Sequence, residues 1–397
     1  MIINEFEYQC MNKIVFTHDL VKALKDAKKL LKANKAFVCT DPGLAKCANY
    51  ANFKKAMEEA EFPYEEYTES VPNPDDISMD VAAQALIKSD CDCSIGFGGG
   101  SSLDTAKVAA AVKSNGGKVR DYFGVYTLHE KPIPIIAIPT TAGSGADITY
   151  FAAIIDSEKN TKAQIMDPGI ASDISIIYPE NLLGTPKRLV PAVGFDALTH
   201  AVEGYINAKA SPITESMSLK AFELISQNLV RFYQDTQDIE AAGAMLLASS
   251  LACMACTAIG AGDAHCIARS VGGRFSNIHH GTALSVVLPH VLDFNLEVRA
   301  KKLADLARVM NLDVEGKDDT EAAKMLILAI QQIRKDLDLP GSYKELGMTL
   351  DCLDELAEAS KYKSEHGSSA GAPPRKATVE EYKELIKAAY NGVEVKY

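Results

Sequence analysis

The 397-residue chain lacks several features that would assign it to other classes. No stretch reaches the roughly 18 uninterrupted apolar residues needed to cross a bilayer. The richest, AMLLASSLACMACTAIGAG at 244–262, carries Ser, Thr, Cys and Gly that suit a buried helix. The opening residues MIINEFEYQCMNK contain acids and no apolar run of the secretory kind, so a cytoplasmic location is expected. Positive charge is in deficit: 41 Lys and Arg stand against 53 Asp and Glu, for a net charge of −12. A surface of that sign repels nucleic-acid phosphates and anionic lipid heads, and neither is an expected partner. Cysteines number nine, and without an export signal reduced thiols are expected rather than a disulfide framework. Cys253 and Cys256 form a CxxC with no second pair, and inside an apolar helix they read as small core residues. Internal repeats and low-complexity tracts are missing; SEHGSSAGAPPRK at 364–376 is the one Gly/Ser/Pro-rich loop.

What is there is ordinary globular usage, 47% hydrophobic and 24% charged, at a length that fits two domains with a core each. Up to about residue 180, short β-branched runs alternate with helical stretches. Strands are expected at 13–16 (KIVF), 36–40 (AFVCT), 93–99 (CSIGFGG), 133–139 (IPIIAIP), 151–156 (FAAIID) and 172–180 (SDISIIYPE), with DSEKN as a polar turn after 151–156. Stretches such as 20–33 and 80–89 between them repeat apolar residues at three and four. Strand and helix in alternation predict a Rossmann-like α/β domain on a parallel sheet, over 1–185. Helical patterns then take over, and 186–397 is expected to be an all-helical domain.

After the strand CSIGF come Gly98, Gly99, Gly100, Ser101 and Ser102, followed by the helical run LDTAKVAAAV. A glycine turn at a helix N-terminus presents free N–H groups and a positive dipole end, which cradle a diphosphate. The same glycines also suit a tight turn with no ligand. Ser101 stands where a GxGxxG fingerprint has its third glycine, so that motif is not met. A second polar turn, Pro139 to Gly145 with Thr140, Thr141 and Ser144, follows the next strand. Two such loops on the carboxyl edge of a parallel sheet are expected to face one crevice for a nucleotide. Asp41 ends the AFVCT strand, either as a turn-former before Pro42 or as a carboxylate that binds ribose hydroxyls and repels a 2′-phosphate, favouring NAD over NADP.

Asp196 and His200, in GFDALTHAVEGY, are four apart and share a helix face. His265 and His280 add imidazoles in GDAHCIARSVGGRFSNIHHGTALSVVLPH. Three neutral imidazoles and a carboxylate make a site for Fe²⁺ or Zn²⁺ with room for a substrate oxygen.

In order along nearly the whole chain, GGGSSLDTAK, IPTTAGSGADIT, GFDALTHAVEGY and HHGTALSVVLPHVLDFN resemble the successive motifs of the iron-containing (group III) alcohol dehydrogenases. The resemblance implies hydride transfer between NAD and a small alcohol or aldehyde whose oxygen is polarised by a divalent metal, iron by family and zinc by equal ligand chemistry. It assigns metal ligation to Asp196, His200, His265 and His280. It assigns the cofactor to Asp41, Asn73, Gly98, Gly99, Gly100, Ser101, Asp104, Thr140, Thr141, Ser144 and Lys162. A homo-oligomer, a dimer on general frequency, is expected.

Two departures from the pattern matter. Four residues after the third ligand the family usually has a second His that relays the alcohol proton; here it is Arg269, which neither accepts nor gives a proton near pH 7. Arg269 either pairs with a helix acid or holds an anionic group of the substrate. The usual spacing of fourteen also lands on His279, whereas Gly281 and the Leu288-Pro289 pair align with His280. His280 is therefore taken as the ligand and His279 as the replacement proton relay. Two rival readings are an NAD- and metal-dependent lyase resembling dehydroquinate synthase, whose phosphate-handling cations are not found around DALTHAVE, and a non-enzymatic metal-binding protein, for which a phosphate cradle would have no use.

Overall fold

The structure, a computed structural model, describes residues 5–6, 8–159, 161–366 and 372–397. The chain divides into two compact units, Gln9–Leu183 and a second made of Gly184–Tyr397 with the segment before residue 9.

The first unit is built on six parallel strands: β1 (Lys13–Phe16), β2 (Ala36–Cys39), β3 (Tyr64–Tyr67), β4 (Cys93–Gly98), β6 (Ile135–Pro139) and β9 (Ile174–Ile177), in the order β1-β9-β6-β4-β2-β3. Every residue of β2, β4, β6 and β9 is buried, as strands covered on both faces must be. The two-residue period sorts side chains between faces. Val38, Ile95, Phe97, Ile136 and Ile138 pack with α1 (Leu20–Leu31) and α2 (Ala48–Glu59), where Phe53 stacks on Phe97 at 4.5 Å. Phe37 and Cys39 pack on the opposite side with α3 (Asp76–Lys88) and α4 (Gly100–Asn115). A smaller sheet joins β5 (Gly124–Val125), β7 (Phe151–Asp156) and β8 (Thr161–Met166), with β7 and β8 antiparallel.

The second unit contains eight α-helices among its described residues: α5 (Val190–Ile206), α6 (Pro212–Gln234), α7 (Ile239–Ile259), α8 (Asp263–Arg274), α9 (His280–Val309), α10 (Asp319–Asp336), α11 (Leu353–His366) and α12 (Val379–Asn391). The N-terminus of α6 is fixed by its sequence: Ser211 caps it reciprocally with Thr214, and Pro212 occupies the first turn, where its missing N–H costs nothing. By length and hydropathy α7 could cross a membrane, but 67% of its most apolar window is buried against other helices, so it is a core element of this unit.

Several expectations shift. FAAIID forms a strand, but in the small antiparallel pair and not in the six-stranded sheet. The edge strand β3, YEEY, was not expected, because two exposed glutamates give it no apolar pattern; charge on an edge discourages further pairing. Residues 364–366 belong to the last turn of α11 and not to a loop, while 367–371 and Asn160 of the DSEKN turn lie outside the described residues. The division between the two compact units falls at 183/184. The N-terminal segment goes with the helices because Tyr8 bonds to Met217 of α6 at 3.6 Å.

Candidate metal centre and nucleotide loops

Three helices build the first site. α5 is apolar around nearly its whole surface, so it sits in the middle of its unit and carries Asp196 and His200 into the interior. α8 supplies His265, fully buried, and α9 begins at His280. The first turn of α9 presses directly on the α5 backbone. A Cβ on Gly281 would lie 1.8 Å from the Ala192 carbonyl oxygen, so only glycine lets His280 come this close to Asp196, one turn beyond Ala192.

Asp196, His265 and His280 each offer a ligand atom, all within 4.8 Å of one another. Asp196 Oδ1 is 3.5 Å from His265 Nε2 and 3.8 Å from His280 Nε2. Both Asp196 Oδ1 and His265 Nε2 are buried without a hydrogen bond among the described residues, although they point at each other. Buried polar atoms left this way normally mark a missing partner, and these donor types fit a divalent ion. His200 lies beside this trio and outside it. Its ring is 4.3 Å from that of His265, and its Nδ1 is 3.7 Å from Asp196 Oδ1 and 3.5 Å from Cys253 Sγ. His279 caps α9 on the exposed side. Arg269 is half-buried one turn after His265, and its positive charge reaches the His200 ring.

The electrostatics follow from burial and neighbours. Burial opposes ionisation of Asp196, but the three imidazoles overcome it and hold the carboxyl far below its usual range. Burial, helped by the charge of His265, depresses His200 to about 4, which keeps it neutral and able to ligate. For His265 burial is opposed by Asp196 and Glu203, and the balance raises its pKa.

Sequence reasoning missed Glu203. Its Oε2 accepts from His265 Nδ1 at 2.6 Å and from the Gly262 N–H at 2.9 Å, while Oε1 accepts from the Ala264 N–H at 2.7 Å. The signal was present: Glu203 follows Asp196 by seven residues, two turns along the same face. The CxxC is also closer to the centre than its composition implied. Cys256 Sγ donates to the His200 carbonyl at 3.1 Å, and all nine cysteines are free thiols.

The second site lies in the other unit. Gly98 ends β4 with φ of +153°, which favours glycine, and α4 starts two residues later with its N–H groups open. The Thr140 N–H donates to the Gly98 carbonyl at 3.0 Å, so the loop after β6 continues the β4–β6 ladder and brings Thr140, Thr141 and Ser144 alongside the glycines. Asn73, at φ +48°, donates its N–H to Ser101 Oγ at 3.3 Å. Asp41 spends one carboxylate oxygen on the turn, accepting from the Gly43 and Leu44 N–H groups at 2.9 Å. Asp104 is used internally: it is buried, 3.3 Å from Lys107 Nζ and 3.0 Å from the Ala153 N–H. Lys162 stands exposed on β8, opposite Ile155.

Comparisons with known proteins agree with one another. Family models for the iron-containing alcohol dehydrogenase (residues 11–179) and the Fe-containing alcohol dehydrogenase family, C-terminal (residues 191–390) both match. The NAD-dependent methanol dehydrogenase of Bacillus methanolicus is 32% identical over 93% of this chain and 96% of its own length. The lactaldehyde reductase of Escherichia coli K12 is 32% identical over 98% and 99%. Among solved structures, a 1,3-propanediol oxidoreductase superposes with TM-score 0.92 at 30% identity, over 98% of this chain and 100% of that one. The alcohol dehydrogenase from Oenococcus oeni gives 0.91 at 28%, over 97% and 100%. The chain belongs to the iron-containing alcohol dehydrogenase family. It is an oxidoreductase of that kind, an alcohol dehydrogenase or aldehyde reductase.

Proposed function

We propose that this enzyme interconverts a small primary alcohol and its aldehyde with NAD(H), using a divalent ion held by Asp196, His200, His265 and His280. The observation that carries the reading is the convergence of Asp196, His265 and His280, with two buried ligand atoms that make no hydrogen bond among the described residues. When bound, the ion supplies Lewis acidity toward the substrate oxygen. The family name favours iron, and the same donors accept zinc.

The protein groups do the rest. Asp196 contributes the negative charge of the centre, and Glu203 holds His265 with Nε2 turned inward. His279 is proposed to take the alcohol proton, since a guanidinium is unsuited to general acid–base work. Gly98, Gly99, Gly100 and Ser101 receive the diphosphate at the start of α4, with Thr140, Thr141, Ser144 and Asn73 around it and Lys162 toward the nicotinamide ribose. Asp104 orders the cradle from behind through Lys107 and Ala153. Asp41, at the end of β2, selects NAD over NADP by repelling a 2′-phosphate. A substrate carrying an anionic group, a homodimeric assembly and a cytoplasmic location complete the reading.

The test is direct. Anaerobically purified protein, loaded with Fe²⁺ and given NADH and a panel of short aldehydes, is followed at 340 nm. Oxidation of NADH that requires the metal supports the proposal; metal-loaded protein that oxidises no NADH on any aldehyde overturns it.

A further inference from the structure

The CxxC of α7 has no part in the chemistry proposed for the centre, yet both of its thiols reach His200. Cys253 and Cys256 are three apart, so they are neighbours on the helix surface, and both are buried. Cys256 Sγ donates to the His200 backbone carbonyl at 3.1 Å, and Cys253 Sγ lies 3.5 Å from Nδ1 of the His200 ring. A Cβ on Gly204, one turn beyond His200, would touch Cys256 Sγ at 3.4 Å, so α7 stands directly against α5 at this level. One thiol grips the backbone of His200 and the other meets its ring.

An imidazole that ligates a metal is neutral, with one proton for two nitrogens, and that proton has to sit on the nitrogen turned away from the ion. The contact between Cys253 and His200 has two forms. If the thiol donates to Nδ1, the ring proton is on Nε2, and Nε2 has no lone pair to offer. If Nδ1–H donates to the sulfur, Nε2 is bare. Asp196 Oδ1, at 3.7 Å from the same Nδ1, is beyond hydrogen-bonding reach, whereas 3.5 Å suits the larger sulfur atom. A neutral acceptor also fits the charge already present: Asp196 and Glu203 place two carboxylates beside His265, and a third in this interior would carry a large desolvation penalty.

We propose that Cys253 is the positioning residue of His200: its sulfur accepts the Nδ1 proton, which leaves Nε2 as the nitrogen for the divalent ion. Cys256 holds the backbone of the same residue, so the CxxC acts as a cradle for one metal ligand. Glu203 orients His265 with a full negative charge; Cys253 orients His200 with a weak, neutral acceptor, and its contribution is the smaller of the two. The inference rests on the metal-centre reading, but the state of the His200 ring is measurable in protein stripped of metal.

Metal-free protein labelled with ¹⁵N-histidine is followed by long-range ¹H–¹⁵N correlation spectra at neutral pH, as wild type, Cys253→Ala, Cys253→Ser and Cys256→Ala. The zinc affinity of each is measured by competition against a chromophoric chelator. In the wild type His200 is expected to carry its proton on Nδ1. Cys253→Ala moves part of that proton to Nε2 and weakens zinc binding roughly 3- to 10-fold, as loss of one modest hydrogen bond does. Cys253→Ser, whose hydroxyl still accepts, restores most of both, and Cys256→Ala leaves the tautomer as in the wild type. A wild-type His200 protonated on Nε2, a tautomer unchanged in Cys253→Ala, or an equal shift in Cys256→Ala overturns the role. If the wild type binds no divalent ion, the metal-centre reading fails, and the tautomer of the metal-free variants alone decides the Cys253 contact: a shift confined to Cys253→Ala supports it, and none overturns it.

Discussion

The Glu203 carboxylate receives the Nδ1 proton of His265 at 2.6 Å in a fully buried setting, which leaves Nε2 as the nitrogen free to ligate. Glu203 is held in place by two backbone N–H groups at the start of α8, so one side chain joins the Asp196 helix to the His265 helix. Carboxylates of this kind typically contribute 10- to 100-fold to metal affinity. Glu203→Ala is expected to weaken Fe²⁺ or Zn²⁺ binding by about that factor, with Glu203→Gln in between because an amide oxygen still accepts from Nδ1. Competition titration against a chromophoric chelator reads it directly. Unchanged affinity in Glu203→Ala would remove the orienting role.

The adjacent imidazoles His279 and His280 separate in the structure: Nε2 of His280 is 3.8 Å from Asp196, while His279 caps α9 on the exposed side. His280→Ala is expected to lose most of its bound metal. His279→Ala should retain metal and lose rate, as removal of a general acid–base group does, by about 10²-fold or more. Metal analysis of both variants, with rates on one aldehyde, checks the assignment; the opposite pattern in metal content would reverse it.

A methyl group at Gly281 would enter the Ala192 carbonyl, whose backbone cannot swing away as a side chain can. Gly281→Ala must therefore push α9 off α5, costing about 3 kcal/mol or more and moving His280 away from Asp196. A lower Tm together with weaker metal binding is expected. A normal Tm would mean that the helix contact is more yielding than its geometry implies.

How much of this could be read in the sequence depends on how local the signal is. Alternating β-branched runs and amphipathic stretches give the parallel sheet, since burial on both faces demands apolar strands such as CSIGF and IIAIP. β3 escaped because an exposed edge strand needs no apolar face. The Asp196 to His200 spacing and the adjacent His280 and Gly281 mark helices of the candidate metal centre, because a helix turn places such residues together whatever follows. Glu203 needed only the same arithmetic, carried one turn further. The Asp263 clamp was not legible, since nothing in sequence spacing brings residue 263 to Ser364 and Tyr382.

In the unit built on the parallel sheet, Gly98 has a backbone conformation that an L side chain rarely adopts, and a Cβ there would meet Ser102 at 2.8 Å. Gly98→Ala places about 1 to 3 kcal/mol of strain on the turn that opens α4. The Kd for NADH is expected to rise at least about tenfold, measured by NADH fluorescence, with metal binding in the other unit unchanged. Retained NADH affinity would argue that the glycine turn is not the cradle.

The last prediction concerns Asp263, whose buried carboxyl is pushed up to about 6 by burial and by the charge of Glu203, against the opposing bond from Tyr382. The sign follows from the raised pKa: the folded protein binds this proton more tightly than the unfolded chain does. Its contribution to stability is fully present below the ordinary carboxylate pKa of about 3.9 and is lost as pH rises through 6. The interval between those pKa values corresponds to roughly 3 kcal/mol. Asp263→Asn cannot titrate, so its stability lacks this component. In chelator-treated protein, the stability of wild type relative to Asp263→Asn should fall by up to that amount between pH 4 and pH 8, measured by urea denaturation at each pH. A constant difference across the range would show that Asp263 ionises normally in the fold and that burial against Tyr382 and Ser364 does not hold its proton.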